Sequence, residues 1–446
     1  MYKYRIYEQL KANQRVDKSF HMPGHKGRGD FKLKFPVAPY DVTELSYTDA
    51  LSSPSGVIAE AQKDIAEILG AKYSYITTDG SSSGVLALIY AAAKAGGKLI
   101  VPRGSHQSVY NACKLFGLEP VIVQGGYKDG IMQPPPPELI ESLVKSDVTI
   151  VGMMAVSPDY YGNISPLKEY SDILKSHQRL LLVDGAHGAH LAFERLGQGY
   201  AGVYADAWVD GAHKTLPTLT QGAIVSLNNL SLRPALEEGL ATFRTTSPSF
   251  PIMASVEYGV KYLKNNLAAV ESAKSAVAAF REKCPLPVYP SKDWAKLVID
   301  FASSGISSRT AAKILEKNGI YAELSDGRYM LFYLSPLTTE SDMNRLHSAL
   351  CALLKNKKIK KDYQPVKDLP ETGRTYSFLY ALKAKRELVP LAEAAGRMCA
   401  RNAGVTPPCV PVAVAGEIVT EEIAEILLKA ETTFGVEDGK IWVVAK

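Results

Sequence analysis

The stretch Asp206-Ala-Trp-Val-Asp-Gly-Ala-His-Lys214-Thr-Leu-Pro-Thr-Leu-Thr-Gln-Gly222 organises the chain. Ala207 to Val209 read as a short apolar strand, Gly211 and Ala212 as a small-residue turn, and His213-Lys214 follow at once. A lysine held at the mouth of a sheet, beside a histidine and among few carboxylates, sits partly desolvated. Desolvation disfavours the ammonium form and leaves a nucleophilic amine. An ordinary surface lysine after a strand would read the same way in isolation.

The second decisive stretch, Leu180-Leu-Leu-Val-Asp-Gly-Ala-His-Gly-Ala-His190, places Asp184 thirty residues before Lys214. Its four leading apolar residues predict a fully buried strand, and Asp184 falls at the carboxyl edge of a parallel sheet, where ligands bind. Alone, Asp184 also reads as a cap for the next helix. Paired with Lys214 it suits pyridoxal phosphate: the carboxylate keeps the pyridine nitrogen protonated and the lysine carries the cofactor through its amine. Upstream, Asp79-Gly-Ser-Ser-Ser-Gly84 lies between a predicted strand, Tyr73 to Thr77, and a predicted helix, Val85 to Lys94. Free N–H groups, serine hydroxyls and the helix dipole make such a turn a phosphate cradle, although an N-cap without a ligand has the same look. His106, between the strand Lys98 to Val101 and the helix Gln107 to Phe116, stands where an imidazole can lie flat on a cofactor ring.

These residues resemble the Orn/Lys/Arg decarboxylase family of fold-type I pyridoxal-phosphate enzymes, and the resemblance runs along nearly the whole chain. Phe20-His-Met-Pro-Gly-His-Lys-Gly27, Asp41-Val-Thr-Glu-Leu45 and Pro54-Ser-Gly-Val-Ile58 are similar to the family's first blocks. Asp184-Gly-Ala-His187-Gly-Ala-His190 and His213-Lys214-Thr-Leu-Pro are similar to its cofactor core. Thr245 to Ser255, Pro407-Pro-Cys-Val-Pro411 and Gly416-Glu417 are similar to its later blocks. The resemblance implies an α/β fold with a mainly parallel seven-stranded sheet, a small α+β domain and a C-terminal α+β domain. It places an N-terminal arm at 1–30, a cofactor-binding domain at 31–260, the small domain at 261–360 and the C-terminal domain at 361–446. By the same resemblance Ser81 and Ser82 hold the cofactor phosphate, and His106 stacks on the ring. His187 lies near the ring edge or the substrate carboxylate, and Lys214 or His213 protonates Cα. The implied assembly is a homodimer with shared active sites, of the shorter form that lacks an N-terminal regulatory domain.

Three departures stand out. Gly185 replaces a common Glu, Gly211 replaces a serine that touches the phosphate, and Asp79 stands where Asn is usual. Ser52 and Ser53 also replace histidines.

At 446 residues the chain is long enough for two or three domains. A net charge of +5, spread out except at Lys355-Asn-Lys-Lys-Ile-Lys-Lys361, argues against a nucleic-acid binder, and that run reads as a solvated linker. The N-terminal residues show no signal peptide and the chain no membrane span. Its five cysteines are scattered without metal-ligand spacing, so no metal site is expected and a reducing cytoplasm is. The expected activity is decarboxylation of a basic amino acid, lysine or arginine ahead of ornithine. The competing readings are an aminotransferase or lyase on another amino acid and a degenerate homologue with a structural role. Glu44, Asp159, Glu323 and Glu417 are open candidates for gripping the substrate's distal cation.

Overall fold

The structure, a computed structural model, describes residues 2–12, 22, 23, 26, 29–94, 96–194, 199–356, 359, 361–363, 370, 375–406 and 409–446. His21, His25, Pro407 and Pro408 of the family blocks lie outside the described residues. The central sheet has seven strands: β1 (Tyr73–Thr77), β2 (Lys98–Pro102), β3 (Glu119–Val123), β4 (Ile150–Val156), β5 (Leu180–Gly185), β6 (Ala207–Asp210) and β7 (Ala223–Leu227). Their order is β1-β7-β6-β5-β4-β2-β3. β2 is parallel to β3 and β4, and β5 to β6, while β7 is antiparallel to β1 and β6. This is the mainly parallel α/β sheet that was expected, with its antiparallel member next to the Lys214 turn. The helices used below are α1 (Arg5–Ala12), α2 (Val57–Leu69), α3 (Gly80–Ala93), α4 (Gln107–Phe116), α5 (Phe250–Asn265) and α6 (Leu267–Lys283).

Contacts divide the chain into two compact units: residues 1–91, 182–274 and 335–337 form the first, and 92–181, 275–334 and 338–446 the second. In the first, α2 buries Ile58, Ala61, Ile65 and Leu69, a helical stripe, and stops where Gly70 turns left-handed at φ 69°. The helix expected to begin at Val85 starts instead at Gly80, so the Gly/Ser segment is its first turn rather than a turn ahead of it. Serine and glycine prefer caps, but packing overrides that preference here. A Cβ at Gly84 would meet methyls of Val209 and Val225 at 2.6 and 2.7 Å, so the glycine lets α3 lie directly on β6 and β7. Leu181, Leu182 and Val183 of β5 are fully buried, which fits an interior parallel strand covered on both faces.

The second unit contains a small antiparallel sheet of β8 (Lys296–Asp300), β9 (Leu324–Ser325) and β10 (Tyr329–Tyr333), ordered β8-β10-β9. Its core includes Leu297, Ile299, Phe280 and Met330, with Leu315 from α7 (Ser308–Glu316) and Leu350 from α8 (Glu340–Lys355). Towards the C-terminus come β11 (Arg386–Pro390), β12 (Ala403–Val405), β13 (Val410–Ala413), α9 (Glu421–Lys429), β14 (Thr433–Phe434), β15 (Val436–Glu437) and β16 (Lys440–Val444). They make two three-stranded sheets, β11-β16-β15 and β13-β12-β14, around Val412, Val419, Ile423 and Ile441. No helix among the described residues is long and apolar enough to cross a membrane.

Candidate active site

Lys214 sits on a single helical turn, Ala212–Thr215, between β6 and β7. Its Nζ lies 3.0 Å from His187 Nε2, so the lysine and the histidine of the two decisive stretches share one hydrogen bond. Asp184 ends β5, is 5% exposed, and its Oδ1 accepts from the Ala186 N–H at 3.1 Å. His213 points its Nδ1 at the Gly222 carbonyl, 2.9 Å away. A carbonyl only accepts, so Nδ1 carries the proton and Nε2 is left as the acceptor nitrogen. Burial pushes the His213 pKa down, the Gly222 bond opposes it, and the neighbouring Lys214 charge adds to the fall.

Ser81 and Ser82 lie in the first turn of α3, where backbone N–H groups point outward unsatisfied by the helix. Neither side chain makes a hydrogen bond among the described residues. Asp79, the departure beside them, is answered within the same unit: Oδ2 accepts from Thr245 N–H at 3.4 Å, and the charge of Arg244 is close enough to interact with it. Arg244 itself donates to the carbonyls of Ile76 and Leu240, each at 3.3 Å. In the second unit His106 caps α4, with Nδ1 accepting from Ser108 N–H at 3.2 Å. Of the acids open for a distal cation, Glu417 is 3% exposed and bound by both terminal nitrogens of Arg103 and by the Val414 N–H. Glu44 caps the N–H of Leu51, and Glu323 accepts from Tyr160. No group of three or more His, Cys, Asp or Glu among the described residues is arranged to hold a metal ion.

Two features of the site escaped the sequence reading. Gly211 has no room for a side chain, because a Cβ there would meet the Ala186 carbonyl oxygen at 2.5 Å. The loops carrying Asp184 and Lys214 therefore touch backbone to backbone. Gly211→Ser is expected to cost about 1–3 kcal/mol of stability and to weaken cofactor binding rather than restore it. A thermal melt and a cofactor titration check this; tighter binding would contradict it.

The other is Asp210, fully buried at the end of β6, whose Oδ2 accepts from Tyr200 Oη at 2.8 Å and Trp208 Nε1 at 2.9 Å. Trp208 and Asp210 are two residues apart on one strand and so share a face, a signal present in the sequence. Burial pushes the Asp210 carboxyl up to about 7, the Tyr200 and Trp208 bonds oppose this, and Asp184 adds to it. The folded-state pKa thus lies above the unfolded value near 3.9, so holding Asp210 ionised costs stability that grows between about pH 4 and pH 7 and then levels. Asp210→Asn is expected to melt several degrees above wild type at pH 8, with the gap closing near pH 4. Melts that differ equally at both pH values would refute this.

An acid at a strand end, an amine on a turn of the same sheet and two serines in a helix's first turn match in chemical kind what the nitrogen, the aldehyde and the phosphate of pyridoxal phosphate require. They do so on one sheet, which defines the class as a fold-type I pyridoxal-phosphate enzyme. The Orn/Lys/Arg decarboxylase major domain matches residues 6–283 and the family's C-terminal domain residues 363–434, so the chain belongs to the Orn/Lys/Arg decarboxylase family. It is a pyridoxal-phosphate-dependent decarboxylase of a basic amino acid.

Among its relatives, the Bacillus subtilis protein YaaO is 31% identical over 95% of this chain and 93% of its own. Arginine decarboxylase of the same organism is 28% identical over the same shares. The Francisella novicida lysine decarboxylase structure superposes with a TM-score of 0.82 at 20% identity, covering 98% of this chain and 80% of that one.

Proposed function

We propose that the chain releases CO2 from arginine or lysine, with ornithine a poorer substrate, giving the corresponding polyamine or polyamine precursor. The Lys214–His187 hydrogen bond, on the same sheet as Asp184, is the observation that carries this reading. The bound cofactor supplies an electron sink for the pair released when the Cα–carboxylate bond breaks. Asp184 would hold the ring nitrogen protonated, and Ser81, Ser82 and the first-turn N–H groups of α3 would bind the phosphate; by the family resemblance His106 would lie against the ring.

Lys214 then delivers the proton to Cα, and His187 shares and replaces that proton across their 3.0 Å bond. His213 is the poorer donor of the two, because its Nδ1 proton is committed to Gly222 and burial keeps the ring neutral. We assign the enzyme to a homodimer in the cytoplasm, with Thr245 to Ser247 completing the neighbouring subunit's site. Its free cysteines favour a reducing compartment.

The test is CO2 release by purified protein loaded with pyridoxal phosphate, using arginine, lysine and ornithine separately. Release from arginine or lysine at the highest kcat/KM supports the assignment. A preference for ornithine, or no release from any of the three, overturns it.

A further inference from the structure

The second unit holds a cavity of about 560 Å³ lined by none of the residues assigned above to the cofactor or to proton transfer. Sites for small molecules span roughly 300–1,000 Å³. Pro102, Val123 and Val156, at or next to the carboxyl ends of β2, β3 and β4, form part of its wall, the end of a parallel sheet where ligands collect. One side is apolar, with Val405, Val410 and Val412 from the C-terminal sheet. Another is aromatic, with Tyr127, Tyr160, Tyr161, Tyr329 and Tyr363. Three of these hydroxyls are already committed as donors: Tyr160 to Glu323, Tyr161 to Asp326 and Tyr329 to the Asp129 carbonyl, at 2.7–2.8 Å. With their protons committed, those tyrosines offer a ligand ring faces and hydroxyl oxygens that can only accept, both suited to a cation.

Charge decides what those faces receive. The two arginines of the wall are each met by a carboxylate, Arg103 by Glu417 and Arg328 by Asp300. Among the described residues the two aspartates of the wall take hydrogen bonds only from neutral donors. Asp326 accepts from Tyr161 Oη and the N–H groups of Arg328 and Tyr329. Asp159 accepts from the N–H groups of Tyr161 and Asn163 on Oδ1 and from Asn163 Nδ2 on Oδ2, at 2.8–2.9 Å. Oδ2 therefore has one described donor and room for a second. An anion placed here would face two carboxylates: the charges of Lys296 and Arg309 act on Asp159 and Asp326 respectively, but neither reaches its aspartate by a hydrogen bond among the described residues. A cation would find them, together with π faces that attract it.

We propose that this cavity binds a linear aliphatic cation, an alkylammonium or alkylguanidinium compound, with its charged end between Asp159 and the tyrosines and its methylene chain along the valines. Cations of this kind include the amines that decarboxylation of a basic amino acid produces, so the site is suited to sensing product.

The experiment is calorimetric titration of the cofactor-loaded enzyme with 1,5-diaminopentane and with 4-guanidinobutylamine, recording the cofactor absorbance in parallel. The expected result is a saturable event that leaves the absorbance unchanged, survives Lys214→Ala and weakens about tenfold or more in Asp159→Asn. Val410→Phe, which fills the apolar side and leaves the Asp159 hydrogen bonds in place, is expected to abolish it and decides the matter if Asp159→Asn does not fold. No absorbance-silent binding, loss of binding in Lys214→Ala, or wild-type affinity in Val410→Phe overturns the proposal. Because binding is read without turnover, these outcomes are separate from those of the CO2 assay.

Discussion

Lys214→Ala is expected to lower decarboxylation by about 10,000-fold, the upper end of what removing a positioned proton-transfer group costs, and to remove the absorbance of lysine-bound cofactor. The size follows from placement. Lys214 stands on a single turn whose start is fixed by the Gly211–Ala186 approach and whose end leads into β7, so its amine has little freedom to wander. Within that turn the only other basic side chain, His213, is committed to Gly222. His187 keeps its ring but loses its partner. It can still accept a proton, which leaves a residual rate but no path that delivers the proton to Cα from a tethered amine. His187→Gln, which keeps Lys214, is expected to fall between the two, losing about 100-fold with the cofactor band retained. CO2 release and visible absorbance on the three proteins check the order. A Lys214→Ala enzyme within tenfold of wild type would remove Lys214 from the chemistry.

The parts of the fold that were legible in the sequence are those where one local force acts alone. β5 and β6 are apolar runs ended by a carboxylate or a glycine turn, and α2 is a clean helical stripe stopped by Gly70. Asp184 and Lys214 were legible for the same reason, since a strand end followed by a turn has a definite place on a sheet. The first turn of α3 was not, because its helicity is imposed by Gly84 lying on two strands that come more than a hundred residues later. Nor was α6, whose alanine-rich sequence leaves only a weak apolar stripe. Glu417 was a candidate for binding substrate. It turns out to neutralise Arg103, 314 residues away, and no spacing rule reaches across such a distance. The cavity in the second unit is of the same kind: its tyrosines, aspartates and valines come from five separate stretches of chain.

Stability has its own decisive lysine. Lys261→Met is expected to destabilise the protein by about 3–5 kcal/mol, because it breaks a buried ion network by removing one partner. The Lys261 side chain is 0% exposed, and its Nζ donates to Glu257 Oε1 at 2.7 Å, Asp64 Oδ2 at 2.6 Å and the Lys3 carbonyl at 2.7 Å. Glu257, also 0% exposed, accepts in turn from the N–H groups of Arg5 and Ile6 at 2.7 and 2.8 Å. One ammonium thus fastens α1 to both α5 and α2, and methionine would fill its volume while leaving two carboxylates facing each other without it. Arg5, which reaches Glu60 and Asp64 from a 36% exposed position, contributes far less, so Arg5→Ala is expected to cost no more than about 1 kcal/mol. Burial holds the Glu257 carboxyl above its usual value, and the hydrogen bond and charge of Lys261 pull it back. Without Lys261 the folded-state pKa rises further above the unfolded one, so the folded variant binds an extra proton at low pH. Its deficit therefore shrinks as pH falls towards 4.5 and widens as pH rises. Urea denaturation of wild type and Lys261→Met at pH 5 and pH 8 measures both size and sign. A deficit below about 1 kcal/mol, or one that is larger at pH 5, would mean that the network does not hold the N-terminal helix.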